Sequence, residues 1–293
     1  IKRAEKKGVA WKELVEKNKK DFYILDLRKE LIENRTIVYP DYYLKPFHGY
    51  KEGNLEWNAA IEGEAATCSI SCTYWENTKA TESEKWLRNN ITENIKAYAG
   101  NTKIDSIVDF GCSVGVSTQY LYNAFYPKTM VGIDLSPYFL SVAQHVSDKR
   151  YQPIDFIHRN IEDTHLPSNH YDMVSCIFVV HEVPKRVVEN ILQEAYRILK
   201  KTGIVVIVDL DSQKVSEKFG KNKFRKWAFD VTEPHISSYY QADIKDTMKK
   251  IGYVNVQTKE NDPMNSVWLG TKDLVSVRTL MNQPQKISHM TEC

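Results

Sequence analysis

The stretch Ile107-Val-Asp-Phe-Gly-Cys-Ser-Val-Gly-Val-Ser-Thr118 constrains the fold of this chain more than any other. Ile107, Val108 and Phe110 make the short apolar run of a strand buried in a parallel sheet. Gly111 and Gly115 permit backbone angles and close approaches that a side chain blocks, and Ser117-Thr118 lead into a helical pattern. Strand, tight turn and helix start follow one another directly, an arrangement suited to holding a nucleotide-like cofactor. A glycine turn after one strand also occurs with no ligand nearby, and on this stretch alone both readings stand.

The next strand favours the first reading. Met130-Val-Gly-Ile-Asp134 is another apolar run ending in a carboxylate, and Ser136-Pro137 follows as a helix N-cap with proline at the first helical position. A carboxylate about 20 residues past a glycine turn suits hydrogen bonds to a ribose diol. The turn lacks the G-x-G-x-x-G spacing that cradles a pyrophosphate. Gly111 to Gly115, with Asp109 just inside it, better suits a cofactor with an amino-acid tail and no phosphate.

Residues 107–118 resemble the first motif of the class I S-adenosylmethionine-dependent methyltransferases, and Val131-Gly-Ile-Asp-Leu-Ser136 resembles their second. Ser113 stands where the common form has glycine; serine can still occupy a non-helical turn. Tyr39 to Tyr43, Phe47 to Tyr50, Gly53 to Leu55 and His181 to Pro184 add a similarity to a type 11 methyltransferase branch of cyanobacteria and plastids, over about residues 36–272. The resemblance implies S-adenosyl-L-methionine as cofactor and an α/β, Rossmann-like sandwich: a seven-stranded, mostly parallel sheet with a terminal antiparallel hairpin.

The pattern along the chain agrees. Strands are expected at 105–110, 129–134, 154–158, 171–179 and 203–210, alternating with helices. The clearest helix runs from Pro184 to Lys200, with Val187, Val188, Ile191, Leu192, Ala195 and Ile198 at helical spacing. A helix from Tyr240 to Ile251 stops at Gly252, and Tyr253 to Thr258 with Val267 to Gly270 read as the closing hairpin. Residues 1–34 read as two helical pieces and 59–99 as further helix, the second from Glu82 to Ala97. The expected division is a helical cap and aromatic lid (1–100), a cofactor-binding domain (101–272) and a polar tail (273–293).

Charge and composition limit the partners. A net charge of +2 argues against a chain built mainly to grip nucleic acid, and no basic stripe accompanies the motifs. Residues 1–20 nevertheless carry eight Lys or Arg against three Glu, a local net of +5. That arm is a solvated helical face, or docks to an acidic protein partner or a membrane surface; the tail is a second place for a protein partner. Cys68, Cys72, Cys112, Cys176 and Cys293 form no paired C-x-x-C sets, which fits reduced thiols in an intracellular compartment and no metal site. No run is long enough to span a bilayer. The chain begins at Ile1, so a cytoplasmic protein and an organellar one (plastid or mitochondrion) with its leader removed are both open.

The ends of the strands are where ligands bind in an open α/β sheet. The expected cofactor residues are Asp109, Gly111, Cys112, Ser113, Gly115, Asp134, Leu135, Asn160 and Ile161. The resemblance assigns Asn160-Ile161 to the adenine edge and Leu135 with Ile161 to the faces of the ring. His181 is read either as a hydrogen bonder that finishes strand four or as a general base facing the substrate; His48 and His235 are weaker catalytic candidates. Residues 36–58 hold two prolines and an aromatic series, a segment read as a lid or a structural strap. With the aromatic stretch Trp227 to Tyr240 it would wall the pocket, through Tyr42, Tyr43, Tyr50, Trp57 and Tyr239. Such walls point to a small, apolar or aromatic substrate. The alternative is a methyltransferase-like structural or assembly subunit without activity.

Overall fold

A computed structural model describes residues 1–75, 78–219 and 235–273. Residues 227–234 of the second aromatic stretch and 274–293 of the tail lie outside the described residues. Seven strands form one sheet: β1 (Ser106–Phe110), β2 (Thr129–Asp134), β3 (Asp155–His158), β4 (Tyr171–Ile177), β5 (Leu199–Leu210), β6 (Tyr253–Glu260) and β7 (Asn265–Lys272). Their spatial order is β3-β2-β1-β4-β5-β7-β6; β1 to β5 are mutually parallel, and β7 runs antiparallel between β5 and β6. This is the mostly parallel sheet with a terminal antiparallel hairpin that the alternating pattern predicts.

Side chains alternate across the sheet with the period of two that a pleat imposes. Val108, Phe110, Val174 and Val205 pack with Val187, Val188 and Ile191 of helix α8 (Lys185–Ile198). Ile107, Met173 and Val206 face the other way, into a cluster with Leu121 and Leu140. Those two belong to α6 (Val116–Phe125) and α7 (Pro137–Lys149). Ser136 caps α7 by accepting a 3.2 Å hydrogen bond from the Phe139 amide, with Pro137 at the first helical position.

The N-terminal region is helical, in three pieces where two were expected before residue 35: α1 (Lys2–Lys6), α2 (Trp11–Lys20) and α3 (Phe22–Ile32). Gly8, at φ +86°, separates the first two. Leu25 of α3 is fully buried and packs with Val142 and Val146 of α7, while Asn18 of α2 donates to the Ile61 carbonyl of α4 (Trp57–Tyr74) at 3.0 Å. Helix α5 (Ala80–Ala99) then lays Ile91 and Ile95 on the sheet.

Several boundaries differ from expectation for identifiable reasons. Strand four ends at Ile177 because Phe178 takes φ +62° and a 3-10 turn, Val180–Glu182, breaks the extended chain. That break carries His181 out of the sheet. Helix α8 stops at Ile198, since Leu199 already pairs with Tyr171; Lys200, expected to end the helix, reaches Asp172 at 2.9 Å from within β5. After α9 (Ser212–Phe219) and a single turn, α10 (Ile236–Tyr239), the helix expected over 240–251 begins only at Ile244: α11 (Ile244–Ile251) is opened by the Asp243 carboxylate on the Asp246 amide and closed by Gly252 in the left-handed region.

Candidate active site at the carboxyl ends of β1, β2, β4 and β5

The glycine turn has the local conformation its residues permit. Gly111 (φ +67°), Ser113 (φ +50°) and Gly115 (φ +79°) all lie in the left-handed region, and Gly115 opens α6. A Cβ on Gly111 would stand 2.5 Å from a Val179 methyl carbon, so the turn and the end of β4 touch directly there. Ser113, the departure from glycine, is tolerated because its amide is tied to a carboxylate: Ser113 N–H donates to Asp134 Oδ2 at 2.9 Å. Cys112 is buried, and burial pushes its thiol well above the ordinary range, so it is neutral packing.

Asp134 collects donors. Besides Ser113, the Ser136 amide donates to Oδ1 at 2.8 Å, and the Tyr43 hydroxyl, arriving from the 36–58 segment, donates to the same oxygen at 3.4 Å. Burial raises its pKa against those hydrogen bonds. Two neighbouring tyrosines of the same segment reach the adjacent strand ends. Tyr42 donates to Glu162 Oε1 at 2.6 Å, and Tyr39 meets His158 Nε2 at 3.2 Å. The Asn34 amide donates to His158 Nδ1 at 2.9 Å, so that imidazole carries its proton on Nε2, which donates to the Leu135 carbonyl at 2.9 Å. Burial favours this neutral form. Residues 39–43 therefore form a strap over the carboxyl ends of β2 and β3.

Asp109 differs from Asp134. Its carboxylate is 1% exposed and accepts from the hydroxyls of Thr118, at 2.7 Å, and Ser175, at 2.6 Å. Burial pushes its pKa from 3.8 up to about 6 despite those two hydrogen bonds. The native state then binds a proton that the unfolded chain has released, so between about pH 4 and 6 stability falls as pH rises, by up to about 3 kcal/mol for a shift of this size. Asp109→Asn is expected to remove that component. Going from pH 5 to pH 7, the variant's urea midpoint should change in the upward direction relative to that of the wild type, and the same change with pH in both would show that Asp109 carries no such cost.

Of the remaining expected cofactor residues, Leu135 and Ile161 are buried beside the strand ends, and Asn160 Oδ1 accepts from the Glu162 amide at 2.9 Å, shaping the loop after β3. The lid residues divide. Tyr42, Tyr43 and Tyr239 each reach a strand end, through Glu162 after β3, Asp134 of β2 and the Leu210 carbonyl of β5. Tyr50 instead donates to Glu62 on α4 at 2.7 Å, and the Trp57 ring packs edge-on against Phe22 and Tyr138, so both anchor the strap to helices. Among the histidines, His48 lies exposed on a tight turn closed by the Phe47–Tyr50 bridge, and His235 packs its ring against Tyr42.

His181 has the most developed surroundings. Its Nδ1 stands 2.7 Å from Oδ1 of Asp209, a carboxylate with no exposed surface, and its backbone amide reaches Oδ2 at 3.2 Å. The Tyr239 ring lies edge-on to the imidazole, with its hydroxyl on the Leu210 carbonyl at 2.5 Å. A carboxylate beside Nδ1 favours the tautomer with the proton there and the lone pair on Nε2. Asp209 was missed in the sequence, although a carboxylate inside the apolar run Ile204 to Leu210 is a readable signal. Arg88 was also missed. It is 2% exposed on α5, paired with Glu84 at 2.8 Å, donating to Ser117 Oγ at 2.6 Å and lying over the Phe178 ring. From sequence, Glu84 and Arg88 look like any solvated i,i+4 pair. Among the described residues no cluster of His, Cys, Asp and Glu is arranged to hold a metal, and Cys68, Cys72, Cys112 and Cys176 form no disulfide.

The strand order and the closing antiparallel hairpin are those of the class I methyltransferase fold, and the glycine turn and Asp134 stand at the strand ends where an open α/β sheet takes its ligands. Residues 108–207 match the family model described as a methyltransferase domain. A curated relative, the phthiotriol/phenolphthiotriol dimycocerosates methyltransferase of Mycobacterium leprae, is 25% identical over 140 residues, 47% of each chain. The chain thus spans about half the length of the curated relative it matches. Among solved structures, Haemonchus contortus phosphoethanolamine N-methyltransferase 2 in complex with S-adenosyl-L-methionine superposes with a TM-score of 0.55 at 12% identity, covering 82% of this chain and 61% of that one. A Pyrococcus horikoshii protein gives 0.52 at 14% identity, covering 69% and 96%. At these identities the structures share the fold.

Proposed function

We propose that this chain transfers the methyl group of S-adenosylmethionine to a small, apolar or aromatic molecule, with residues 101–272 holding the site and residues 1–100 covering it. The observation that carries the reading is Asp134, a buried carboxylate at the end of β2. It is bonded to the amide of the glycine turn and to a tyrosine hydroxyl, the same donor type as a ribose diol. S-adenosylmethionine, when bound, supplies a methyl group on a sulfonium. Asp134 takes the ribose hydroxyls, Leu135 and Ile161 offer apolar contact to the adenine, and the turn Gly111–Gly115 admits the amino-acid tail near the Arg88 charge.

His181 holds the acceptor's proton at Nε2 as the nucleophile attacks, and Asp209 steadies the imidazolium that forms. Alignment of nucleophile and methyl carbon supplies the larger part of the acceleration in such a displacement. The aromatic series at residues 39–43, laid over the strand ends, supports an apolar or aromatic acceptor. The curated relative's name is consistent with methyl transfer as the reaction.

Calorimetric titration with S-adenosylmethionine and S-adenosylhomocysteine tests the reading. Micromolar binding, about −8 kcal/mol, is expected for both, followed by release of S-adenosylhomocysteine when apolar small molecules are added. A folded chain that binds neither ligand is instead a structural or assembly subunit that keeps the fold.

A further inference from the structure

Exposed large apolar side chains on a water-soluble surface normally occur singly; here a set of them shares one helix. Tyr23 is 75% exposed, Ile24 44%, Leu27 49% and Leu31 86%. At about 100° per residue these four fall within one arc of about 100° on α3. Leu25, on the other side of the helix, is fully buried against α7 and fixes which face is outward. Val38, just beyond the helix, is 88% exposed and extends the apolar series along the chain.

The stripe is joined directly to the basic arm. Lys17, Lys19 and Lys20 are exposed on the last turn of α2, with only Asp21 between them and α3, and residues 1–20 carry a net +5. Lys19 lies 3.4 Å from Glu16 in an exposed pair that leaves both charges in water. Asp21 is engaged by Lys149 and His145. On α3 itself, Glu30 is matched by Lys29 at 3.2 Å and Arg35 at 2.6 Å, and Asp26 falls outside the apolar arc. An apolar stripe with a tyrosine, bordered by lysines, is the chemistry of a helix lying in a bilayer interface, its apolar face among the acyl chains and its cations at anionic headgroups. No described helix is long and apolar enough to cross a membrane, so the contact is with one leaflet.

We infer that α3 and the basic end of α2 form a docking face for an anionic lipid bilayer. Tyr23, Leu27 and Leu31 touch none of the residues assigned to the cofactor site, so docking and methyl transfer can be tested separately by changing them. If both hold, the acceptor molecule is one that resides in the membrane.

The test is sedimentation of the full chain with vesicles of phosphatidylcholine alone and of phosphatidylcholine with about one quarter phosphatidylglycerol. Partitioning about tenfold stronger onto the anionic vesicles is expected, weakening as salt is added. The triple change Tyr23→Ser, Leu27→Ser and Leu31→Ser, at positions from half to mostly exposed, should leave the protein folded by its melting curve and lower partitioning about tenfold. Lys19→Gln with Lys20→Gln should reduce the difference between the two vesicle types. Absence of binding to either vesicle overturns the inference, as does a triple variant that binds like the wild type. A wild-type dimer that the triple variant converts to monomer would assign the stripe to a second copy of this chain and overturn it as well.

Discussion

Asp134→Ala is expected to weaken S-adenosylmethionine binding by about 10²–10³-fold, the loss of two hydrogen bonds from a ribose diol to a carboxylate at about 1.5–3 kcal/mol each, less what water recovers. The wild-type carboxylate already meets two backbone amides, Ser113 and Ser136, so the alanine variant also strips the turn of its anchor. Asp134→Asn separates the two effects. It keeps an acceptor for one amide, holds the turn, and should lose a smaller part of the affinity. Tyr43→Phe runs the other way: its hydroxyl reaches the same oxygen at 3.4 Å, so its removal is expected to leave cofactor affinity unchanged or to raise it a few-fold. Calorimetry on the four proteins, with melting curves to confirm folding, reads the series. An Asp134→Ala protein that is folded and binds like the wild type would remove the ribose assignment.

The second large effect concerns turnover. His181→Gln is expected to lower kcat by about 10²–10⁴-fold, the usual worth of a positioned base, while cofactor affinity stays within a few-fold of wild type. Asp209→Asn tests how the imidazole is held. An amide beside Nδ1 donates where the carboxylate accepted, which places the imidazole proton on Nε2 and removes the lone pair that would take the acceptor's proton. Its kcat should therefore fall about 10²-fold or more while cofactor affinity is kept. Asp209 is fully buried, so a purely structural role would instead appear as a lowered melting temperature with the kcat of the folded protein kept. Normal turnover in folded His181→Gln would mean that alignment alone suffices and that the pair finishes the strand, the other reading open from the start.

What the sequence shows and what it hides follow the range of the interactions. The strands were legible because each is a short apolar run between turn residues, and the order of strands and helices then restricts the topology to a few choices. Ser136-Pro137 and Gly252 mark helix ends by chemistry internal to a few residues, and those ends stand where expected. Lys200 misled because a lysine pair after an apolar helix looks like a C-terminal cap, whereas its partner is Asp172 on another strand. Residues 36–58 were legible as a lid or a strap from their aromatics and prolines, but not what they touch: Tyr43 and Asp134 are 91 residues apart, and Tyr42 and Glu162 120 apart, so no local pattern couples them. Arg88 and Asp209 fail for a related reason. Whether a charge on a helix or strand faces water or the interior is decided by what packs on it, and Ser117, Phe178 and His181 all come from elsewhere in the chain.

The place of β7 has a consequence for how the chain is made. The sheet's penultimate position is filled by the last of the described strands, Asn265–Lys272, pairing along Ile204–Leu210 on one side and β6 on the other. Until that strand emerges during synthesis, the Ile204–Val208 segment is a bare apolar edge beside a completed parallel half, open to pairing with a neighbouring chain. The parallel half is thus expected to wait on the β6–β7 hairpin, and the interval between the two to be one in which pairing with a neighbouring chain competes with completion of the sheet.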